Sequence, residues 1–346
     1  MTDPAKITPG KLLEALLGEW QKAIIGKQET LRLVTISLLC RGHLLLEDMP
    51  GLGKTTLAKA LASSLELNFK RIQCTPDLLP ADITGVSIFD QKSQAFRFVP
   101  GPVFTNILLA DEINRTSPRT QSALLEAMAE RTVTVDRKTR KLPATFMVIA
   151  TQNPIEFSGT FPLPEAQLDR FFMRISLGYP DPGDESRIMR MNRKANPLEE
   201  ITPVLDEAKL QRLQEVVTQI RLEQNVIDYI AALIQATRQH KKIRLGVSPR
   251  GSIALMKAAQ ASALLHGDRF VTPLRVQELV APVLAHRMLL RSNSDRAEQI
   301  LEEIVMATPV PAMPAGTASK EKQQRSLDLA RISHQADRIN RKTFES

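Results

Sequence analysis

Residues 47–56 read EDMPGLGKTT, and within them Pro50, Gly51, Leu52, Gly53, Lys54, Thr55 and Thr56 have the types and spacing of a loop that cradles phosphate. Glycines let a backbone curl until successive N–H groups point at one anion. A helix opening after the loop adds the partial positive charge of its N-terminus. Lys54 can reach β- and γ-phosphates, and the Thr55 hydroxyl can ligate Mg2+. A second run, residues 106–114 (NILLADEIN), ends an apolar stretch in two adjacent acids. Asp111 there can hold magnesium through a water, and Glu112 can polarise the attacking water as general base. Alone, each run has a plainer reading: a glycine-rich turn before an ordinary helix, and solvated acids at a strand end. Together they predict binding and hydrolysis of a nucleoside triphosphate with magnesium. One position departs from the usual pattern, which has glycine five residues before Gly53; here it is Asp48.

Such a site needs parallel strands to hold it. The runs at 44–46, 69–73, 106–110, 146–150 and, more weakly, 173–177 are apolar enough for buried strands, and helical stretches lie between them. One of these, 57–65, follows the phosphate loop, and 11–39 reads as helix interrupted at 24–26. Strands alternating with helices predict an α/β fold with a parallel sheet covered on both faces. Two hairpins interrupt the alternation: 86–89 with 95–99 around the polar turn 90–94, and 132–136 with 141–146 around the basic turn 137–140. Both read as inserted arms.

The breaker cluster 179–183 (YPDPG) marks a domain boundary. From 184 the pattern is helical: Leu210, Leu213, Val216, Val217 and Ile220, then Ile227, Ile230, Leu233 and Ile234, follow amphipathic spacing. The expected organisation is an α/β domain over 1–180, a small all-helical lid over 184–308 and a polar, disordered tail over 309–346. No internal repeat is present.

Composition narrows the partners. No apolar run has the length of a membrane span, and the N-terminus lacks the apolar core of a signal peptide. Cys40 and Cys74 sit among apolar neighbours, as buried thiols of a reducing, cytoplasmic compartment do. The five histidines lack metal-ligand spacing. The net charge of +8 is spread along the chain, without an aromatic-rich basic stripe to stack bases, so it reads as solvated surface.

Five blocks in one order, within residues 10–308, resemble the MoxR-type AAA+ ATPases. They are EDMPGLGKTTLAKALA (47–62), RIQCTPDLLPADITG (71–85), GPVFTNILLADEINRTSPRTQSALLEAMAE (101–130), ATQNPIEFSGTFPLPEAQLDRFFMRI (150–175) and LGVSPRGS (245–252). The second and fourth are more specific than the phosphate loop, which many folds share. The resemblance implies ATP as the nucleotide. It implies Asn153 as a first sensor, although Asn before Pro154 also suits a turn. It makes Arg170 an arginine finger acting on a neighbouring subunit's γ-phosphate; the alternative is a salt bridge to Asp169 or Glu165. Arg250 follows Ser248 and Pro249, a good helix start. As a second sensor it would point back into the nucleotide cleft. Ile25 and Gly26 match the segment lining the adenine. Asn114, Arg115 and Arg119 either contact a neighbour or join Ser117 in capping the next helix.

The activity implied is an ATP-driven, chaperone-like remodelling machine. It would be a ring of identical subunits, a hexamer, acting with a von Willebrand factor A domain protein on an unidentified client complex. Two other readings share the fold. One is a nucleic-acid motor, for which the basic residues Arg137, Lys138, Arg140 and Lys141 could track phosphate. The other is a chelatase-like motor subunit for metal insertion.

Overall fold

The computed structural model of the chain describes residues 9–153, 160–193, 196–292 and 294–312. Helices α1 (Pro9–Ala23) and α2 (Gln28–Leu39) open it. Then follow β1 (Leu44–Glu47), α3 (Lys54–Ser64), β2 (Phe69–Gln73), α4 (Pro80–Thr84), β3 (Gly85–Asp90), β4 (Ala95–Pro100) and β5 (Ile107–Asp111). Next come α5 (Pro118–Glu130), β6 (Thr132–Val135), β7 (Lys138–Lys141), β8 (Met147–Gln152), α6 (Glu165–Leu168) and β9 (Met173–Ile175). Five strands lie side by side in the order β2-β5-β8-β1-β9, all parallel. Alternate residues of the sheet face opposite layers, as strand geometry requires. Leu44, Leu46, Ile107, Leu109, Met147 and Ile149 enter the core shared with α1–α3. Leu45, Leu108, Ala110, Val148 and Ala150 enter a second core with α5.

Both predicted arms are antiparallel pairs outside this sheet. In the first, pairing runs from Gly85 opposite Pro100 to Asp90 opposite Ala95. Its base is pinched where Gly85 and Gly101 meet: a Cβ on Gly85 would stand 2.4 Å from the Val99 carbonyl oxygen. The second arm differs from expectation. Its turn is only Asp136 and Arg137, both at positive φ (51° and 61°), so residues 138–140 of the expected turn lie in a strand that ends at Lys141. Residues 142–146, expected as strand, are not strand. Two consecutive left-handed residues close a hairpin tightly, which the sequence did not signal because neither is glycine or asparagine. Arg140 lies over the Phe98 ring of the first arm, 3.8 Å from its centroid, and Phe98 packs edge-on against Phe104.

From Pro182 the chain is helical: α7 (Pro182–Asn192), α8 (Glu207–Gln219), α9 (Gln224–Gln239), α10 (Pro249–Leu265), α11 (Pro273–Gln277), α12 (Val280–Leu284) and α13 (Ala297–Ala307). One small antiparallel pair, β10 (Ile243–Leu245) with β11 (Leu289–Leu290), interrupts it. The central helix α10 packs on α8, α9, α11 and α12, and also on α1 and α2. One continuous apolar core therefore runs from the sheet through α1–α3 into the lid. Trp20, fully buried, donates its indole N–H to Ser64 Oγ (2.7 Å). Among the described residues no helix is long and apolar enough to cross a membrane. Of the expected tail, residues 313–346 lie outside the described residues.

Cys40 and Cys74 are free thiols, and burial pushes that of Cys74 up to about 12. His43 is a core pin: burial pushes its pKa down to about 4. Its Nδ1 accepts from the Val148 N–H (2.9 Å) while Nε2 donates to the Met128 carbonyl (3.1 Å).

Candidate functional site: a phosphate loop and paired acids at the strand ends

The order β5-β8-β1 sets three strand ends together. Ala110 pairs with Ala150, and Leu46 pairs with Thr151. Asp111, Thr151 and the loop after Glu47 thus share the carboxyl edge of the sheet, where open α/β folds bind ligands. In the loop, Gly51 and Gly53 hold φ of 83° and 87°. A Cβ on either would meet no atom within 4 Å, so the backbone conformation selects glycine and the space before it is open. Gly53 is the left-handed N-cap of α3, which begins at Lys54, three residues earlier than apolar spacing suggested. Pro50 and Gly51 are exposed, and Leu52, Lys54, Thr55 and Thr56 are half-buried. Lys54 Nζ donates to the Asp48 carbonyl (2.8 Å) across the loop's mouth.

The acids are held by neighbours that sequence reading missed. Thr151 Oγ1 donates to Asp111 Oδ1 (2.6 Å) and accepts from the Glu112 N–H (2.8 Å), so one hydroxyl orients both. Asp111 Oδ2 pairs with Arg71 (2.6 Å). Glu112 sits at a φ of 58°, uncommon for a non-glycine residue. Its Oε2 accepts from Gln73 Nε2 (2.9 Å) and Arg115 Nη1 (3.0 Å). Thr55 and Asp111 offer hard oxygen donors of the kind Mg2+ prefers, beside an open, N–H-lined loop. They are the residues that would hold the ion, which supplies neutralisation of phosphate charge. Asn153 is buried just past the end of β8, beside Thr151 and Gln152, and residues 154–159 lie outside the described residues. Asn114 is buried and its carbonyl accepts from the Phe161 N–H (2.6 Å), whereas Ser117 caps α5 through the Thr120 N–H. Arg119 is exposed.

Asp48, the departure from the usual pattern, now has a physical reason. It is buried, and its carboxylate accepts from Ser176 Oγ (2.5 Å), the Leu177 N–H (2.7 Å) and the Gly178 N–H (3.0 Å). The phosphate loop is thereby tied to the segment leading from β9 to α7. On the other side of that segment, Lys27 Nζ donates to the Tyr179 carbonyl (2.8 Å) and Gly26 abuts Asp184. A Cβ on Gly26, whose φ is 72°, would fall 1.8 Å from Asp184 Oδ2, so this contact also selects glycine. Ile25 is buried beside it. Asp48→Asn leaves only one oxygen to accept, and strands an N–H against an amide N–H2. It is expected to destabilise the fold by about 1–3 kcal/mol. Urea unfolding should show this as a lower midpoint with unchanged slope.

The arginines lie elsewhere. Phe172 donates its N–H to the His43 carbonyl (2.7 Å), and Met173 pairs with Leu44, at the amino end of β1. Arg170, two residues before Phe172, is therefore beyond the amino edge of the sheet. The four residues of β1, at about 3.3 Å each, and the loop after them separate it from its own phosphate loop. Asp169 does form an ion pair, but with Arg287 (2.5 Å) rather than with Arg170. Arg250 requires a correction. It was expected to point back into its own cleft, yet the start of α10 is fastened at the same amino edge as Arg170. Ser248 Oγ donates to Asp169 Oδ2 (3.2 Å) instead of capping α10, and a Cβ on Gly251 would touch the Arg287 side chain. The central helix of the lid packs against α1 and α2.

A five-stranded parallel sheet with a phosphate loop after β1, paired acids after β5 and a helical lid defines an AAA+ ATPase. Residues 43–173 match the family described as "ATPase family associated with various cellular activities (AAA)", and residues 235–304 match the AAA lid domain. The chain is 49% identical to the uncharacterized protein YeaC of Bacillus subtilis, over 87% of this chain and 94% of that one. It is 39% identical to the chaperone MoxR1 of Mycobacterium tuberculosis, over 85% of this chain and 80% of that one. The crystal structure of a candidate ATPase from Cytophaga hutchinsonii superposes with a TM-score of 0.83 at 34% identity, over 88% of this chain and 96% of that one. The chain belongs to the MoxR family of AAA+ ATPases.

Proposed function

We propose that the protein hydrolyses ATP with Mg2+ to remodel a client protein complex, as a cytoplasmic ring of six subunits working with a von Willebrand factor A domain protein. The observation that carries this reading is the separation of the catalytic groups. Lys54, Thr55, Asp111, Glu112 and Asn153 gather at the carboxyl edge of the sheet. Arg170 is held beyond the amino edge, where it can serve only a nucleotide bound to another subunit. Two copies packed edge to edge complete the site, and repetition of that contact closes a ring. On this reading ATP seats against Pro50–Thr56, with Ile25 and Gly26 beside the base, and Arg250 joins Arg170 at the neighbour's site. The α/β part (1–180), the lid (184–308) and the tail (309–346) are the proposed units. The contact of Arg140 with Phe98 takes that cation away from the basic set a nucleic-acid motor would use.

Loss of Lys54 removes the only cation of the loop, and charge-assisted bonds to phosphate with it. Lys54→Ala is expected to weaken ATP binding by about 10–100-fold, measured by calorimetry. The function is tested by retaining Glu112→Gln protein in ATP, exposing it to its own cell extract with and without nuclease, and identifying captured proteins by mass spectrometry. Nuclease-insensitive capture of a von Willebrand factor A domain protein, absent with Lys54→Ala, supports the reading. Capture of nucleic acid alone, or capture lost on nuclease treatment, defeats it.

A further inference from the structure

The carbonyls on both sides of Arg170 and the carboxylate of Asp169 are held by the lid. Arg287, almost fully buried, donates through Nη1 to the Asp169 carbonyl (2.8 Å) and to Asp169 Oδ1 (2.5 Å). Its Nη2 donates to the carbonyls of Phe171 (2.6 Å) and Phe172 (3.2 Å), and its Nε to Val283 (2.7 Å) in α12. His286, kept neutral by burial, donates Nε2–H to the Phe171 carbonyl (3.1 Å). The planar guanidinium thus grips the backbone on both sides of residue 170. The remaining oxygen of the Asp169 carboxylate accepts from Ser248, two residues before Arg250. Neither Arg170 nor Arg250 makes a side-chain hydrogen bond or ion pair to another described residue, although their neighbours are fully engaged.

We propose that Asp169 is a positioning residue, its two carboxylate oxygens joining Arg287 and Ser248 so that Arg170 and Arg250 are presented together, as one rigid unit, to the nucleotide of the adjacent subunit. This rests on the reading that Arg170 acts across subunits. A carboxylate is suited to the task because both of its oxygens accept. An asparagine carries no charge to pair with Arg287 and can reach Ser248 only by donating its N–H2 to the hydroxyl, so both links are weakened. Motion of the start of α10 would then be carried to residue 170 without passing through the sheet. Any change that moves the lid would advance or withdraw both arginines at once.

The test uses full-length chains in mixed rings verified by native mass spectrometry. At ATP concentrations that fill only the stronger sites, Lys54→Ala subunits stay largely empty but keep their arginines, and Arg170→Ala subunits bind ATP but lack the finger. Turnover should return only where the first kind serves the second. Asp169→Asn added to the Lys54→Ala subunit is expected to lower the recovered turnover by about tenfold or more, and added to the Arg170→Ala subunit by less than about twofold. A general packing defect would not show this asymmetry. Equal losses from the two placements, or no loss from the first, overturn the positioning role. No turnover from verified parent rings overturns instead the action of Arg170 across subunits. Ser248→Ala in the same two placements cuts only the link to α10, and gives the same asymmetry if Asp169→Asn impairs folding.

Discussion

Arg170→Ala is expected to lower kcat by about 10³–10⁵ while ATP affinity changes by less than about threefold. The size follows from what an arginine finger does. Phosphoryl transfer spreads negative charge over the equatorial oxygens of the γ-phosphate, and a guanidinium brought to them stabilises the transition state more than bound ATP. The selectivity for kcat follows from position. Arg170 lies beyond the amino edge of its own sheet, level with His43, away from its own loop of residues 50–56, where ATP is proposed to bind. Steady-state turnover and calorimetric ATP binding on the same preparation check both halves. A large loss of affinity at unchanged kcat would place Arg170 in ground-state binding and remove the finger.

Glu112→Gln is expected to slow single-turnover hydrolysis by about 10²–10⁴ and to leave ATP bound. The substitution keeps length and shape but removes the basic oxygen proposed to orient and polarise water. The native contacts explain why the effect should fall on chemistry. Glu112 is held at its backbone by Thr151, and its Oε2 accepts from Gln73 and Arg115. A glutamine can keep one oxygen toward those donors, so the surroundings need not rearrange. Quenched-flow measurement with enzyme in excess over ATP separates the hydrolysis step from product release. A rate within about threefold of the parent would assign the base elsewhere.

Much of this was legible in the sequence. The all-apolar run at 44–46 located β1 to within a residue, because a central parallel strand tolerates no polar face. The run at 69–73 matched β2, an edge strand whose Lys70, Arg71 and Gln73 stay exposed. The helix after the phosphate loop was read three residues late. Its start is set by the left-handed Gly53, and Lys54, Thr55 and Thr56 carry no apolar periodicity. Lys54, Thr55, Asp111 and Glu112 could be proposed from the sequence since the chemistry expected of them is local. Thr151 and Arg71 were not, since their roles arise from strand pairing, which brings together residues 40 apart in the chain. Asp48 was visible as an anomaly without a meaning, because its partners at 176–178 lie about 130 residues away. Arg250 was misplaced for a related reason. Helix-start chemistry at Ser248 and Pro249 identifies a helix but says nothing about which end of the sheet it meets, and the Ser248 hydroxyl turned to Asp169.

The two inserted arms bear on this in another way. A lone two-stranded ribbon is marginal in water, and the first arm exposes Ile88, Phe89 and Phe96 along much of its length. It is anchored by the pinch at Gly85 and Gly101 and by the stack of Arg140, Phe98 and Phe104. Since Arg140 belongs to the second arm, the ribbons are ganged like the paired jaws of one tool. What touches one leans on the other, and a shortened second arm would leave the aromatic first arm without its brace.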